Sequence, residues 1–316
     1  MKKFCINIVI FIILLIAGAF AVDFILETGF KKARTDELST WNDIFDSKIN
    51  SDVIISGNSR AVFHFNTAIL DSVLNVNSYN LGIDGYRFNM QYIRFRFLEK
   101  YNKAPKLIIQ NVDFFTLYPD SLYLYNKKQF FPYLHKPLLK KALREMGMSE
   151  YELHIPALQY YSDFRTIKNG LLEFFNLQHF AGQRYKGHQG NAVSWNGSEL
   201  NKILSNDSIT ATIEPKIAAL FDSFLQECKE KNIQVILVFA PEYIKMTEFT
   251  KSWNEKIQVY YDLAEKYDIP FLNYTHDSLC YDTAYFYNAM HLNKKGSELF
   301  SLKLANDIKE QNLYKN

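Results

Sequence analysis

The chain opens with an apolar run and then alternates between short apolar strands and segments with helical spacing. The run extends from Ile6 to Val22 and ends at Asp23. Beyond it, β-branched or continuously apolar stretches predict strands at 52–56, 76–80, 106–110, 233–240 and 270–273. Helices are predicted up to about residue 73, at 86–101, from Pro215 onward, at 252–267 and after residue 291. This alternation predicts an α/β fold with a doubly wound, flavodoxin-like parallel sheet.

The N-terminal run fits two interpretations. Its roughly 17 residues are at the lower edge of a transmembrane helix and slightly long for the core of a signal peptide. Ala19-Phe20-Ala21 also fits a cleavage site for an export signal. A buried core helix is disfavoured because the run is apolar on every face. We take residues 1–23 as a signal anchor, with a cleaved signal as the alternative, and both place the rest of the chain outside the cytoplasm.

The remaining chain divides into two predicted parts. Residues 24–51 are mixed and polar, which suggests a short helical stalk, and residues 52–316 form the α/β domain. The alternation lapses at about 114–214, which predicts a mostly helical insertion over the carboxyl ends of the strands. Its aromatic residues either stack on sugar rings or pack the insertion; they include Phe130, Phe131, Tyr160, Tyr161, Phe174, Phe175 and Trp195.

Composition excludes several kinds of function. The net charge of +2 and the absence of a Lys/Arg block argue against a nucleic-acid partner. The seven histidines show no H-x-H or H-E-x-x-H spacing, so no metal is expected. No cofactor is expected either, because the glycines match neither a P-loop nor a Rossmann motif. Of three cysteines, Cys5 lies in the apolar run, which leaves one Cys228–Cys280 bridge open.

Two segments carry candidate chemistry. Gly57-Asn58-Ser59-Arg60 follows the first strand, where a serine at a strand-to-helix turn presents its hydroxyl beside unpaired backbone N–H groups. Asn and Ser are also common helix N-caps, so capping is the alternative. His291 precedes the last helix, with Asn288 three residues before it. In a doubly wound sheet this histidine can reach the end of the first strand, although a surface histidine is the alternative.

Together these segments resemble the SGNH (GDSL-like) hydrolase family over most of residues 52–113 and 233–310. Ser59 matches the family's nucleophile in its G-D-S block, and His291 matches the general base of its D-x-x-H block. The resemblance implies an oxyanion hole that includes a glycine N–H. Gly85 is the best match in Asn80-Leu-Gly-Ile-Asp-Gly85, and Gly82 is the second.

The sequence departs from this family at two positions. Asn288 stands where the D-x-x-H block has its aspartate; it can still accept the histidine N–H, or Asp277 or Asp282 can substitute. The family also places an asparagine amide in the oxyanion hole after the third strand. Asp113 has the more natural alignment there, with Arg60 as its candidate partner, whereas Asn111 supplies the amide if the register is shifted.

The resemblance implies a serine esterase or acyltransferase that acts on acyl groups, O-acetyl above all, of a cell-envelope glycan. The membrane is then a partner through the N-terminal helix. The alternative is a catalytically inactive SGNH-like domain that binds glycan or a membrane acyltransferase partner. Hydrolysis and transfer, the acyl group and the polymer remain open.

Overall fold

The structure is a computed structural model that describes residues 1–119, 124–161, 163–177, 184–205 and 212–314. The chain forms two compact units. One unit comprises residues 1–42 and 122–183, and the other comprises residues 43–121 and 184–316. We call them the N-terminal unit and the sheet unit.

The sheet unit is built on five parallel strands in the order β2-β1-β3-β4-β5. The strands are β1 (Val53–Ser56), β2 (Ser78–Asn80), β3 (Leu107–Asn111), β4 (Gln234–Phe239) and β5 (Phe271–Asn273). This order is that of flavodoxin-like doubly wound sheets, so the predicted fold class is confirmed. Because all five strands are parallel, their carboxyl ends share one edge of the sheet.

The helices fill the connections as the periodicity predicts for most of the sheet unit. In chain order they are α1 (Lys2–Lys32), α2 (Asp36–Phe45), α3 (Ser59–His64), α4 (Thr67–Leu74), α5 (Phe88–Tyr101), α6 (Pro137–Glu145), α7 (Glu150–His154), α8 (Phe164–Phe174), α9 (Ser198–Leu204), α10 (Pro215–Glu230), α11 (Ile244–Phe249), α12 (Trp253–Tyr267) and α13 (Lys294–Glu310). Short 3₁₀ turns occur at Lys127–Tyr133, Leu158–Tyr160, Ser278–Tyr281 and Thr283–Tyr285.

The core of the sheet unit lies on the strands. Val53, Ile55, Ile109, Ile236 and Val238 are all fully buried. Strands covered on both faces read as continuous apolar runs, as these do. Phe300, Leu304 and Ile308 of α13 join the same core, so the last helix of the chain packs with the first strand's residues in one core.

Two local features differ from the expected pattern. The helix expected up to about residue 73 is two helices, because the Asn66 side chain accepts the Ala68 N–H and caps α4. The segment ahead of α13, where no strand is predicted, is a two-stranded antiparallel hairpin of β6 (Phe286–Asn288) and β7 (His291–Leu292). Cys228 and Cys280 are both buried free thiols, so the bridge left open above is absent.

In the N-terminal unit, α1 is long and apolar enough to cross a membrane, and its apolar window is not buried within the unit. A signal sequence passes the same test of length and composition. The helix continues without a break to Lys32, through residues predicted as stalk. Leu26, Gly29 and Phe30 near its end are buried, and a Cβ on Gly29 would lie 2.0 Å from the Gly170 carbonyl oxygen of α8.

Candidate active site

Ser59 is the first residue of α3 and directly follows the turn after β1. Gly57 in that turn has a φ of 152°, and an added Cβ would lie 2.8 Å from the Asn111 Cβ, so the turn requires glycine. The Asn58 side chain caps α3 by accepting the Arg60 N–H at 3.0 Å. The turn therefore uses Asn58 for the cap and leaves the Ser59 hydroxyl at the carboxyl edge of the sheet.

His291 contacts Ser59 from the opposite end of the sequence. The Ser59 Oγ lies 2.7 Å from the His291 Nε2, although the two residues are 232 positions apart. The β6–β7 hairpin presents the imidazole, since His291 begins β7 immediately before α13. The structure thus brings together the two residues that were predicted as nucleophile and base.

Asn288 determines which imidazole nitrogen carries the proton. Its Oδ1 accepts the backbone N–H groups of Met290 (3.1 Å) and His291 (2.9 Å), which fixes the amide with its oxygen toward the hairpin turn. The same oxygen lies 3.0 Å from the His291 Nδ1, so Nδ1 must be the donor. Nε2 then has a free lone pair for the Ser59 hydroxyl. Asp277 and Asp282 instead cap the N–H groups of Leu279 and Ala284.

The environment of His291 strongly favours the neutral imidazole. Burial, with a smaller effect of the Arg60 charge, lowers the pKa of His291 to about 3. Tyr287 stacks on the imidazole with 5.4 Å between ring centroids, and Phe63 meets it edge-on at 5.5 Å. The His291 imidazole is therefore unprotonated at neutral pH, with aromatic rings on two sides.

Sequence reasoning missed His64, which ends the helix that Ser59 begins. It is fully buried, and its Nε2 accepts the Leu292 N–H at 3.0 Å. Burial, with smaller electrostatic effects of His291 and Arg60, holds the pKa of His64 well below its ordinary value. One six-residue helix thus contacts the His291 imidazole and also the backbone next to it. The sequence places His64 close after Ser59, which is a weak signal for a role near the site. No local feature of the sequence connects His64 to residue 292.

A second missed residue, Glu242, belongs to a buried ionic cluster beneath α3. The Arg60 Nη2 donates to the Glu242 carboxylate, and the Arg60 Nε lies 3.8 Å from the Asp113 Oδ2. All three side chains are at most 2% exposed. Burial raises the pKa of Glu242 although Arg60 opposes that rise. A charged residue just after the apolar β4 was the available signal for a group at the carboxyl edge of the sheet.

The structure separates the roles of Asn111 and Asp113. The Asp113 carboxylate accepts the Asn58 Nδ2 at 2.5 Å, the Phe115 N–H at 2.8 Å and the Thr116 hydroxyl at 3.1 Å. Asn111 is fully buried, and within the described residues neither polar atom of its amide has a hydrogen-bond partner. A buried amide left unpaired requires an explanation, and Asn111 is the residue with donor capacity to spare.

The two candidate glycines have different surroundings. Gly82 packs against α3, where an added Cβ would lie 2.7 Å from the Val62 nitrogen, but its N–H already donates to the Asn80 Oδ1 at 2.9 Å. Gly85 lies on an exposed turn with a φ of 79°. Gly85 therefore remains a candidate by sequence match, and Gly82 is the one that lies against the helix of Ser59.

The aromatic residues predicted for the insertion fall into two groups. Phe130, Phe131 and Tyr160 are buried in the N-terminal unit, and Trp195 packs on Tyr243 in the sheet unit at 5.0 Å between centroids. Tyr161 and Phe175 are exposed. Among the described residues, no group of three His, Cys, Asp or Glu side chains could hold a metal ion.

Comparison with known proteins adds little to this geometry. No protein family profile matches the sequence, and no curated protein matches it. Among solved structures, the chain is similar to one described as a "putative acylhydrolase" from Bacteroides fragilis. The identity is 13%, the match covers 81% of this chain and 86% of that chain, and the TM-score is 0.34. At this level of similarity we draw no conclusion about family or activity.

Proposed function

We propose that the chain is an SGNH-like serine esterase or acyltransferase with Ser59 as its nucleophile and His291 as its general base. The observation that carries this proposal is the 2.7 Å contact between Ser59 Oγ and a His291 Nε2 whose lone pair is free. A nucleophile, a base within hydrogen-bond reach and a third group that orients the base are the elements of covalent acyl transfer.

The reaction would proceed in two steps. The Ser59 Oγ attacks the acyl carbon while its proton moves to the His291 Nε2. The ester C–O bond then breaks, and His291 gives that proton to the departing alcohol. Water or a sugar hydroxyl attacks the acyl-serine, its proton passes to His291, and the acyl group leaves as an acid or a new ester as Ser59 recovers the proton.

The oxyanion of each tetrahedral intermediate needs donors close to Ser59. The Ser59 N–H qualifies because the first N–H groups of a helix have no acceptor within it. We propose the unpaired Asn111 amide as the second donor and the Gly85 N–H as the third. Asp113 is unsuited, since its carboxylate offers no donor and its acceptors are already engaged.

We place the substrate among acyl esters of a cell-envelope glycan, with O-acetyl as the first candidate. What supports it is α1, whose membrane-spanning length would hold the enzyme at a cell surface. The export orientation rests on the same helix. The choice of polymer is by analogy with the SGNH resemblance.

The test is labelling with a fluorophosphonate, which reacts with activated serines. The full chain in detergent is compared with Ser59→Ala, His291→Ala and the control Ser198→Ala, which alters the first residue of another short helix. We expect labelling of the wild-type chain and the control, and none of the other two variants. A folded wild-type chain that stays unlabelled would refute the proposal.

That negative result would favour the alternative, an inactive SGNH-like domain that binds glycan or a membrane acyltransferase. The specific observation in its favour is Asn288, which leaves the base without a carboxylate. Retention of biological function by Ser59→Ala would support the same alternative.

A further inference from the structure

Several large apolar side chains of the N-terminal unit are exposed near the end of the apolar run. Phe164 is 83% exposed, Tyr161 79%, Phe24 67% and Ile155 47%. Single exposed apolar residues are common, but a group of them marks a contact surface. Their positions relative to the axis of α1 indicate what this surface contacts.

The hydrogen bonds of Asp23 show where Ile155 and Tyr161 lie along the axis of α1. It is the first polar residue after the run that ends at Val22. Its carboxylate accepts the Ala157 N–H at 3.3 Å and the Gln159 side-chain amide. The segment between Ile155 and Tyr161 therefore lies beside α1 at the point where the apolar run stops.

The contacts of α8 with α1 show where Phe164 lies along the axis of α1. An added Cβ on Gly170 would contact Leu26, and further along, the Lys32 Nζ donates to the Phe174 carbonyl at 3.0 Å. Contacts that advance together along both helices mean that α1 and α8 run in the same direction. Phe164, six residues before Gly170, therefore lies about 9 Å back toward the apolar run.

We propose that Phe24, Ile155, Tyr161 and Phe164 form a membrane-contact surface that rests in the lipid headgroup layer around the base of α1. Aromatic side chains are enriched at that depth because their rings are amphipathic. Arg165 is exposed next to Phe164 and suits anionic headgroups. The inference requires that α1 crosses the membrane, and it is independent of the hydrolase proposal.

Phe175 provides a matched control. It follows the last residue of α8 and is 62% exposed, but it lies 11 residues beyond Phe164, or about 16 Å along the helix. The headgroup layer is roughly 5–7 Å thick on each side of the bilayer. An aromatic residue at Phe175 therefore lies beyond the layer that Phe164 enters.

The test places single fluorescent labels on the full chain. Phe164→Cys, Phe175→Cys and Ile13→Cys are made in a Cys5→Ser background, in which Cys228 and Cys280 are buried. Each variant is labelled with an environment-sensitive fluorophore and reconstituted into phosphatidylethanolamine–phosphatidylglycerol vesicles. Some of the lipids carry a nitroxide quencher near the headgroup or along the acyl chain.

We expect acyl-chain quenching at Ile13 and headgroup quenching at Phe164 several-fold stronger than at Phe175. Equal quenching at Phe164 and Phe175 would overturn the proposal while leaving α1 as a span. Absence of quenching at Ile13 would also overturn it, since α1 would then not lie in the bilayer. Neither result affects the serine-labelling experiment, which is performed in detergent.

Discussion

The two parts of the Ser59 site differ in charge: the side chains around His291, the base side, are neutral, whereas the groups around Arg60 are buried ions. The base side holds His291, Asn288 and Tyr287. The side beneath α3 holds Arg60 between Asp113 and Glu242. In a serine-protease triad the carboxylate lies next to the base and stabilises the imidazolium. Here the carboxylates pair with Arg60, and an amide lies next to the base.

The difference shows that the geometry of a triad and its charge are separable. Replacing the triad Asp by Asn in a serine protease costs about 10⁴-fold in turnover, largely because the wrong tautomer forms. In this chain two backbone N–H groups hold the Asn288 oxygen toward Nδ1, so the proton lies on Nδ1 and the lone pair of Nε2 faces Ser59. What Asn288 lacks, compared with the aspartate of a triad, is then only the negative charge.

The base side is tested most severely by His291→Ala. We expect hydrolysis of a small activated ester to fall about 10³- to 10⁴-fold, because general-base catalysis contributes on that scale. Initial rates of the full chain measure it. His276→Ala, at an exposed position of the same unit, should retain full activity. An equal rate in both variants would show that the ester is cleaved elsewhere.

The ionic side is tested by Arg60→Met. Removing the guanidinium leaves two buried carboxylates without their counter-ion, which should lower the free energy of unfolding by about 3–5 kcal/mol. Urea titration of the sheet unit's unfolding measures the loss.

Arg96→Met is the matched control for that variant. Arg96 also pairs with two carboxylates, Glu99 and Glu227, but its side chain is 39% exposed. Exposed pairs contribute at most about 1 kcal/mol. A loss as small for Arg60 as for Arg96 would mean that the cluster beneath α3 is hydrated.

The comparison is sharpened by Asn288→Asp, which moves a carboxylate to the base side. We expect ester hydrolysis at pH 8 to rise roughly 10- to 100-fold, because the imidazolium gains a counter-charge. The pKa of His291, lowered to about 3 by burial and Arg60, should rise. Since the base acts only when unprotonated, the acid limb of kcat/KM should move to higher pH, as a pH–rate profile would show.

Asn196→Asp is the control for that charge. It is exposed, and its backbone N–H donates to the Tyr287 carbonyl, but its side chain caps Ser198 and makes no bond to the imidazole. Its acid limb should stay at the wild-type pH. If both variants shift the acid limb equally, the cause is the added negative charge anywhere near the site and not its position at residue 288.

The sequence was sufficient to predict the parts of the fold that carry a periodic signal. The strands Val53–Ser56 and Gln234–Phe239 are apolar except for one polar end residue each, and their positions fix the sheet edge where Ser59 lies. The N-terminal unit was not anticipated, because its aromatic residues have no period that distinguishes a core ring such as Phe130 from an exposed one such as Tyr161.

Site residues were predictable only where local sequence indicates their surroundings. Ser59 and His291 each lie beside a strand end and a helix start. Glu242 and His64 could not be assigned, because their partners lie 182 and 228 positions away. The sequence did not show whether Asn111 or Asp113 takes the position of the family's asparagine. That depends on the residue at which β3 ends, and a strand end cannot be predicted from sequence to within one residue.

Because 232 positions separate Ser59 from His291, the two residues are also synthesised at different times. The hydroxyls of Ser297 and Ser301 on α13 donate to the His64 carbonyl, so the last helix docks on the first one after β1. A chain still being synthesised therefore has the strands of its sheet before it has a base for its serine. We expect no acyl chemistry until His291 and α13 have been synthesised and have docked on α3, so that the serine of the nascent chain stays unreactive before that point.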